Sequence, residues 1–86
     1  MPKYTLYLSS KARSTLDKLS DHIAAPILKA IASLETNPYP IGYKKLRGRE
    51  GYRIRTGNYR IIYSIEHDRL IITVIAIGHR KDIYKK

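Results

Sequence analysis

The chain contains no cysteine, no tryptophan and no phenylalanine, a single methionine, and only 7 acidic residues against 17 lysines and arginines. Without cysteine a disulfide scaffold, a thiolate metal site and a cysteine nucleophile are excluded together. His22, His67 and His79 lack the Glu-x-x-His and His-x3-His spacings of a zinc site, so no metal and no other cofactor is expected. Long hydrophobic runs are missing too. The longest nearly apolar stretch, Leu70 to Ile77, falls far short of the roughly 18 residues a membrane span needs. Met1 to Ser10 lacks the apolar segment of about 7–15 residues found in a signal peptide. A soluble, cytoplasmic protein with no membrane partner is expected. All 8 aromatic residues are tyrosines, so each large ring carries a hydroxyl that seeks a polar partner.

What remains is enough for one folded domain over residues 1–86. With 86 residues, 43% of them apolar, the chain lies near the roughly 45–50% of ordinary globular domains. The net charge is +10, unevenly divided: residues 1–43 hold 5 basic and 3 acidic residues, and residues 44–86 hold 12 and 4. A field of that sign attracts polyanions, of which nucleic acid is the commonest for a small cytoplasmic protein. A basic surface that only maintains solubility is the lesser alternative from charge alone.

The hydrophobic pattern predicts an α+β fold. Tyr4 to Leu8 alternates as a short strand, and Ser9-Ser10 offers N-cap oxygens to a helix over about Lys11 to Leu19. Ser20-Asp21 is the next cap. Ile23, Ile27, Ile31 and Leu34 then form the stripe of a second helix ending near Thr36, in which Pro26 marks either the first turn or a kink. Asn37 to Gly42 reads as a rigid turn. From Lys44 the period becomes two, and Gly51–Thr56, Tyr59–Glu66 and Arg69–Gly78 read as a meander joined at Gly57-Asn58 and His67-Asp68. The third strand is apolar on both faces, with Leu70, Ile72 and Val74 on one and Ile71, Ile75 and Ile77 on the other. It therefore reads as central, with Tyr4–Leu8 as its outer partner and the helix pair packed on one face of the sheet.

A two-residue turn at Gly57-Asn58 pairs Arg55 with Arg60, Ile54 with Ile61 and Arg53 with Ile62. Alternation then places Arg53, Arg55 and Arg60 on one face, and Tyr52, Ile54, Tyr59, Ile61, Tyr63 and Ile65 on the core face. A second tight turn at His67-Asp68 would pair Glu66 with Arg69, Arg60 with Ile75 and Tyr59 with Ala76, and would return His79, Arg80 and Tyr84 beside the arginines. Lys44, Lys45, Arg47 and Arg49 could extend the patch along phosphates. Guanidinium forks match phosphate oxygens bidentately. They stabilise charge developing on a phosphate but are poor bases, since the guanidinium pKa lies above about 12. Tyr84 and His79 are the remaining proton-transfer candidates, and Tyr84 also suits base stacking.

Lys45-Leu46-Arg47-Gly48, Tyr52-Arg53-Ile54-Arg55, Gly57-Asn58-Tyr59-Arg60-Ile61-Ile62-Tyr63 and Gly78-His79-Arg80-Lys81-Asp82-Ile83-Tyr84, in this order, resemble the RelE toxins of bacterial and archaeal toxin-antitoxin pairs. The resemblance implies a RelE-like fold in which the N-terminal strand, after a two-helix crossover, lies parallel to the last strand of the meander and a short C-terminal tail follows. It implies a metal-independent endoribonuclease, an mRNA interferase that cuts mRNA in the A site of the 70S ribosome by 2′-OH attack on the phosphate. A RelB-like antitoxin would hold it inactive. The catalytic set it implies is Arg55, Arg60, Arg80 and Tyr84, with Lys45, Arg47, Arg53 and His79 on RNA phosphates. Within that set Arg53 and Arg55 bind and orient, Arg60 and Arg80 meet developing charge, and Tyr84 is the general base. Well-known members carry lysines where this chain has Arg53 and Arg55. Two alternatives are a ParE-like toxin that inhibits DNA gyrase without cutting RNA and a non-catalytic nucleic-acid-binding module.

Overall fold

The structure, a computed structural model, describes residues 3–79. Strand β1 (Thr5–Leu8) leads into helices α1 (Ser10–Lys18) and α2 (Asp21–Ser33), followed by strands β2 (Lys44–Lys45), β3 (Tyr52–Thr56), β4 (Tyr59–Glu66) and β5 (Ile71–His79). The strands form one five-stranded sheet in the order β1-β5-β4-β3-β2. Only β1 and β5 run parallel, as a helical crossover between them requires. α1 packs over β1 and β5 and α2 over β3 and β4, giving the two-layer α+β arrangement.

The helix boundaries follow from local chemistry. Ser9 caps α1, its Oγ accepting from the Ala12 N–H at 3.0 Å. α2 starts at Asp21 and runs through Pro26. The proline therefore sits in its second turn, where it leaves the His22 carbonyl without its i+4 amide. The predicted extension to Thr36 consists of three tightened turns, with the amides of Leu34, Glu35 and Thr36 each bonding three residues back. The core between the layers comprises Ala12, Ile27, Ile31, Leu34, Ile54, Ile61, Tyr63, Ile72, Val74 and Ile77. Tyr52, Tyr59 and Ile65 pack against it, as alternation predicts.

Two features depart from the sequence reading, and both change register. The β4–β5 connection is not a two-residue turn: Glu66 opposes Ile71 instead of Arg69, and His67 to Leu70 form the loop. Leu70 adopts φ 53°, and its carbonyl accepts the Thr5 N–H at 2.8 Å, so docking of β1 selects the wider loop. A bulge then shifts the β4–β5 register once more. Tyr63 opposes Val74 and Ile62 opposes Ala76, which leaves Ile75 as the extra residue. Ile72, Val74 and Ile77 consequently share the core face, where strict alternation had put Ile77 on the other side. The bulge is stitched to α1 by Ser9, whose amide donates to the Val74 carbonyl at 2.9 Å and whose hydroxyl donates to the Ile75 carbonyl at 2.6 Å. A fifth strand, β2, also joins the edge beside β3.

Ser9 thus serves a helix cap and a bulge carbonyl with one hydroxyl. Replacing it by alanine is expected to cost about 2 kcal/mol, roughly 8–16 °C in Tm, while Ser9→Thr keeps most of the stability. Urea and thermal unfolding followed by circular dichroism would measure both.

Candidate functional site

Gly57-Asn58 closes the β3–β4 hairpin. Gly57 has φ 60° and Asn58 has not, the pattern of a type II′ turn, which matches the strand twist. The register is the expected one: Arg55 opposes Arg60, Arg53 opposes Ile62 and Ile54 opposes Ile61. Arg53, Arg55 and Arg60 therefore share the sheet face that the helices leave uncovered. The Nε atoms of Arg53 and Arg60 are shielded from solvent, whereas Arg55 is exposed. Arg55 lies on the part of β3 beyond the reach of β2 and also borders a groove toward α2 lined by Ala30, Ser33 and Ile41.

At the other end of β3 the basic face deepens into a depression of about 340 Å³ lined by Lys44, Lys45, Leu46, Arg47, Arg49, Arg53 and Ile62. Leu46 and the buried Ile62 supply its apolar part. Of the two lysines in β2, Lys44 is the one directly opposite Arg53, while Lys45 opposes Tyr52. This pairing needs the Leu46–Gly51 loop to close on itself, which no local periodicity signals. Gly48 and Gly51, both at positive φ, were the available hint of a hairpin. Glu66 forms an ion pair with Arg69 within the β4–β5 loop, so Arg69 belongs to that loop and not to the patch.

His79 remains within β5 instead of leaving the sheet, and it opposes Tyr59, with Gly78 opposite Arg60. Its ring packs edge-on against Tyr59 at 5.6 Å. This places it beside the Gly57-Asn58 turn but on the core side of the sheet, away from the three arginines. Arg80 and Tyr84 lie outside the described residues. The structure therefore brings Arg53, Arg55 and Arg60 onto one face with Arg47 in the adjoining depression; Lys45 borders that depression from the register position opposite Tyr52, and His79 is set on the other face. Among the described residues no cluster of His, Cys, Asp and Glu is able to hold a metal ion.

A tyrosine framework holds the end of the sheet next to β2. The buried Tyr63 hydroxyl donates to the Pro38 carbonyl at 2.6 Å, anchoring the connection after α2 to the sheet. The Tyr4 and Tyr39 hydroxyls bracket His67, at 3.2 Å from Nδ1 and 2.8 Å from Nε2. In neutral histidine one nitrogen donates and the other accepts, so the two tyrosines take opposite roles. Tyr39 also packs against Tyr43 and Tyr52, with ring centroids at 5.2 and 5.5 Å. Burial, then the hydrogen bond with Tyr52, raises the Tyr39 hydroxyl pKa above its ordinary value. Sequence periodicity does not reveal this cluster, because His67 and Tyr39 meet only through the tertiary fold.

Solved structures share this architecture. The crystal structure of the archaeal RelE-RelB complex from Pyrococcus horikoshii OT3 contains a chain with TM-score 0.82 and 26% identity, the match covering 93% of this chain and 98% of that one. The toxin-antitoxin complex RelBE2 from Mycobacterium tuberculosis gives TM-score 0.77 and 29% identity over 91% and 99% of the two chains. In sequence, Toxin RelG of Mycobacterium tuberculosis is 31% identical over 85 residues, 96% of this chain and 98% of the relative. Putative toxin RelE1 of Methanocaldococcus jannaschii is 30% identical over 87 residues, with 96% and 97% covered. The family model described as the ParE toxin of the type II toxin-antitoxin system parDE matches residues 6–84. The class is thus a small α+β toxin with three arginines on the sheet face opposite the helices. The chain belongs to the RelE/ParE superfamily of toxins of type II toxin-antitoxin systems.

Burial holds the Tyr63 phenol neutral far above its ordinary pKa of 10.0. Its folded-state pKa is raised, so its contribution to stability is fully present below about pH 10 and is lost as the pH climbs toward the folded-state value. Unfolding free energy measured against pH should therefore fall on the alkaline side of about pH 10, and Tyr63→Phe, less stable by about 1–2 kcal/mol at neutral pH, should flatten that fall.

Proposed function

We propose that this type II toxin is a ribosome-dependent endoribonuclease that cleaves mRNA in the ribosomal A site. The observation that carries the reading is the basic sheet face, where Arg55 stands directly opposite Arg60 and Arg53 continues the row. Relatives named RelG and RelE1, matched over nearly their whole length, support RNA as the target. Cleavage proceeds by attack of a ribose 2′-oxygen on the adjacent phosphorus, with release of the 5′-oxygen and a 2′,3′-cyclic phosphate. Arg53 and Arg55 bind and orient the phosphate. Arg60 and Arg80 neutralise the two negative charges that develop on it, and Tyr84 takes the proton from the 2′-OH. Lys45 and Arg47 hold flanking phosphates. The described face is rich in cations and poor in proton carriers, which fits a need for the ribosome to hold and distort the message.

A RelB-like antitoxin is the proposed partner, since solved relatives are complexes with antitoxins. An acidic, amphipathic segment on the sheet face would neutralise the arginines. The cytoplasm is the proposed setting, and among the described residues no helix is long and apolar enough to cross a membrane.

On programmed ribosomes the wild-type chain should cut the message, and Arg60→Ala and Tyr84→Phe should each slow single-turnover cleavage by about 10²–10³-fold. Intact message with the wild-type chain would reject the nuclease reading. The family model's own description names ParE, which favours gyrase inhibition as the second reading. A supercoiling assay decides for it if DNA gyrase is poisoned while mRNA survives. Co-expression with the product of the adjacent small gene should yield a stable, non-toxic complex, and a chain harmless on its own would contradict the toxin pairing.

A further inference from the structure

The outer edge of β3 is only partly covered. β2 begins at Lys44, opposite Arg53, and the chain enters it from a turn in which the Tyr43 N–H donates to the Pro40 carbonyl at 3.0 Å and Gly42 takes φ 93°. Among the described residues, no strand lies beside that edge from Ile54 to Thr56. In a two-residue hairpin the pair flanking the turn, here Thr56 and Tyr59, exchanges backbone hydrogen bonds and the next pair does not. The Arg55 N–H and carbonyl therefore point outward. At the same edge lies a groove of about 330 Å³ lined by Ala30, Ser33, Pro40, Ile41, Ile54 and Arg55. Ile41 is fully exposed there, so a flat apolar surface laid on it would be drawn in by burial. The Ser33 hydroxyl donates to the Ala30 carbonyl at 2.7 Å, which leaves the Ser33 oxygen able to accept.

We infer that this groove is a base-reading subsite, which takes an adenine of the RNA strand whose phosphate Arg55 holds. Arg55 belongs to both places, since it shares the sheet face of Arg60 and also borders the groove. The base of a nucleotide held at Arg55 thus has the groove beside it. Ala30, Pro40, Ile41 and Ile54 offer a flat ring apolar walls, and a few polar groups fix its orientation, the usual pattern of a small-ligand site. Those groups are one donor, the Arg55 N–H, and two acceptors, the Arg55 carbonyl and the Ser33 oxygen. An N–H and a carbonyl side by side match a ring nitrogen next to an exocyclic amino group, as an amide side chain matches adenine. The second amino hydrogen suits the Ser33 oxygen. Uracil has no amino group and leaves an acceptor unmatched, and the width of the groove favours a purine over cytosine. This inference rests on the RNA reading of the site but does not depend on cleavage.

The test is binding of short, fluorescent, uncleavable 2′-O-methyl oligo(A) and oligo(U) at one salt concentration, followed by anisotropy. The wild-type chain should bind oligo(A) about 10-fold more tightly than oligo(U), the worth of one bidentate base contact. Ala30→Met, which fills the groove, should abolish that preference and leave oligo(U) binding unchanged. Ser33→Ala and Ile41→Ser, both at exposed positions where the fold is indifferent, should reduce it, and Ser33→Thr should retain it. Leu28→Ser, at an exposed apolar position elsewhere on α2, should alter neither affinity. Equal affinity of the wild-type chain for the two oligomers overturns the subsite. So does a preference that survives Ser33→Ala and Ile41→Ser, an equal loss with Leu28→Ser, or the absence of saturable binding. If Ala30→Met releases a co-expressed antitoxin while the base preference persists, the groove is a protein contact and the subsite fails. If the preference follows the expected pattern in a chain that cuts no message, the nuclease reading fails and the subsite stands. If the wild-type chain cuts message yet binds both oligomers alike, the subsite fails and the nuclease reading stands.

Discussion

A two-residue hairpin loop permits one register, and the type II′ turn at Gly57-Asn58 imposes that register on everything around it. Because side chains alternate with period two, a slip of one residue between β3 and β4 would put Arg53 and Arg55 on the same face as Ile61, and Arg60 on the same face as Ile54. The cost of burying guanidinium groups beside these core residues makes that alternative inaccessible. Turn chemistry and charge desolvation therefore enforce the same answer. The core and the basic face are the two sides of a single register.

The remainder of the fold secures this hairpin at both ends. Toward the Gly57-Asn58 turn, the β5 bulge returns Ile77 to the core and lets His79 meet Tyr59. Ser9 absorbs the disturbance by bonding the Ile75 carbonyl while capping α1, so the helix layer and the sheet are fastened at the point of irregularity. At the opposite end, Tyr63 ties the sheet to Pro38, and His67 links Tyr4 to Tyr39. A chain with no phenylalanine or tryptophan builds its aromatic packing from tyrosine. The hydroxyls then act as cross-links between segments distant in sequence. Both sets of anchors lie off the face that carries Arg53, Arg55 and Arg60.

Functionally, the described surface concentrates positive charge in a row that begins in the β2 depression and ends beside the hairpin turn. Such a row suits a polyanion lying along it. Setting His79 on the core side keeps the row purely cationic: the one imidazole near the hairpin turn packs on Tyr59 and not among the arginines. Arg53 and Arg55 act in the same direction, since guanidinium forks hold phosphate oxygens in fixed geometry and do not shuttle protons at neutral pH.

Much of this was legible in the linear pattern. The helix pair, the three long strands, the Gly57-Asn58 pairing and the common face of Arg53, Arg55 and Arg60 all follow from periodicity and turn chemistry, because each depends on residues close in sequence. What only the assembled fold decided depends on partners far away. The β4–β5 loop widened because β1 bonds the Leu70 carbonyl, and the bulge at Ile75 exists where Ser9 can satisfy it. β2 formed because the 46–51 loop closes on Gly51, and His67 found its role between two tyrosines that arrive from separate segments of the chain. Local sequence encodes dihedral preference and alternation. Register between distant strands, and with it the position of Lys44 opposite Arg53, is chosen by whichever long-range arrangement satisfies the buried carbonyls and fills the core.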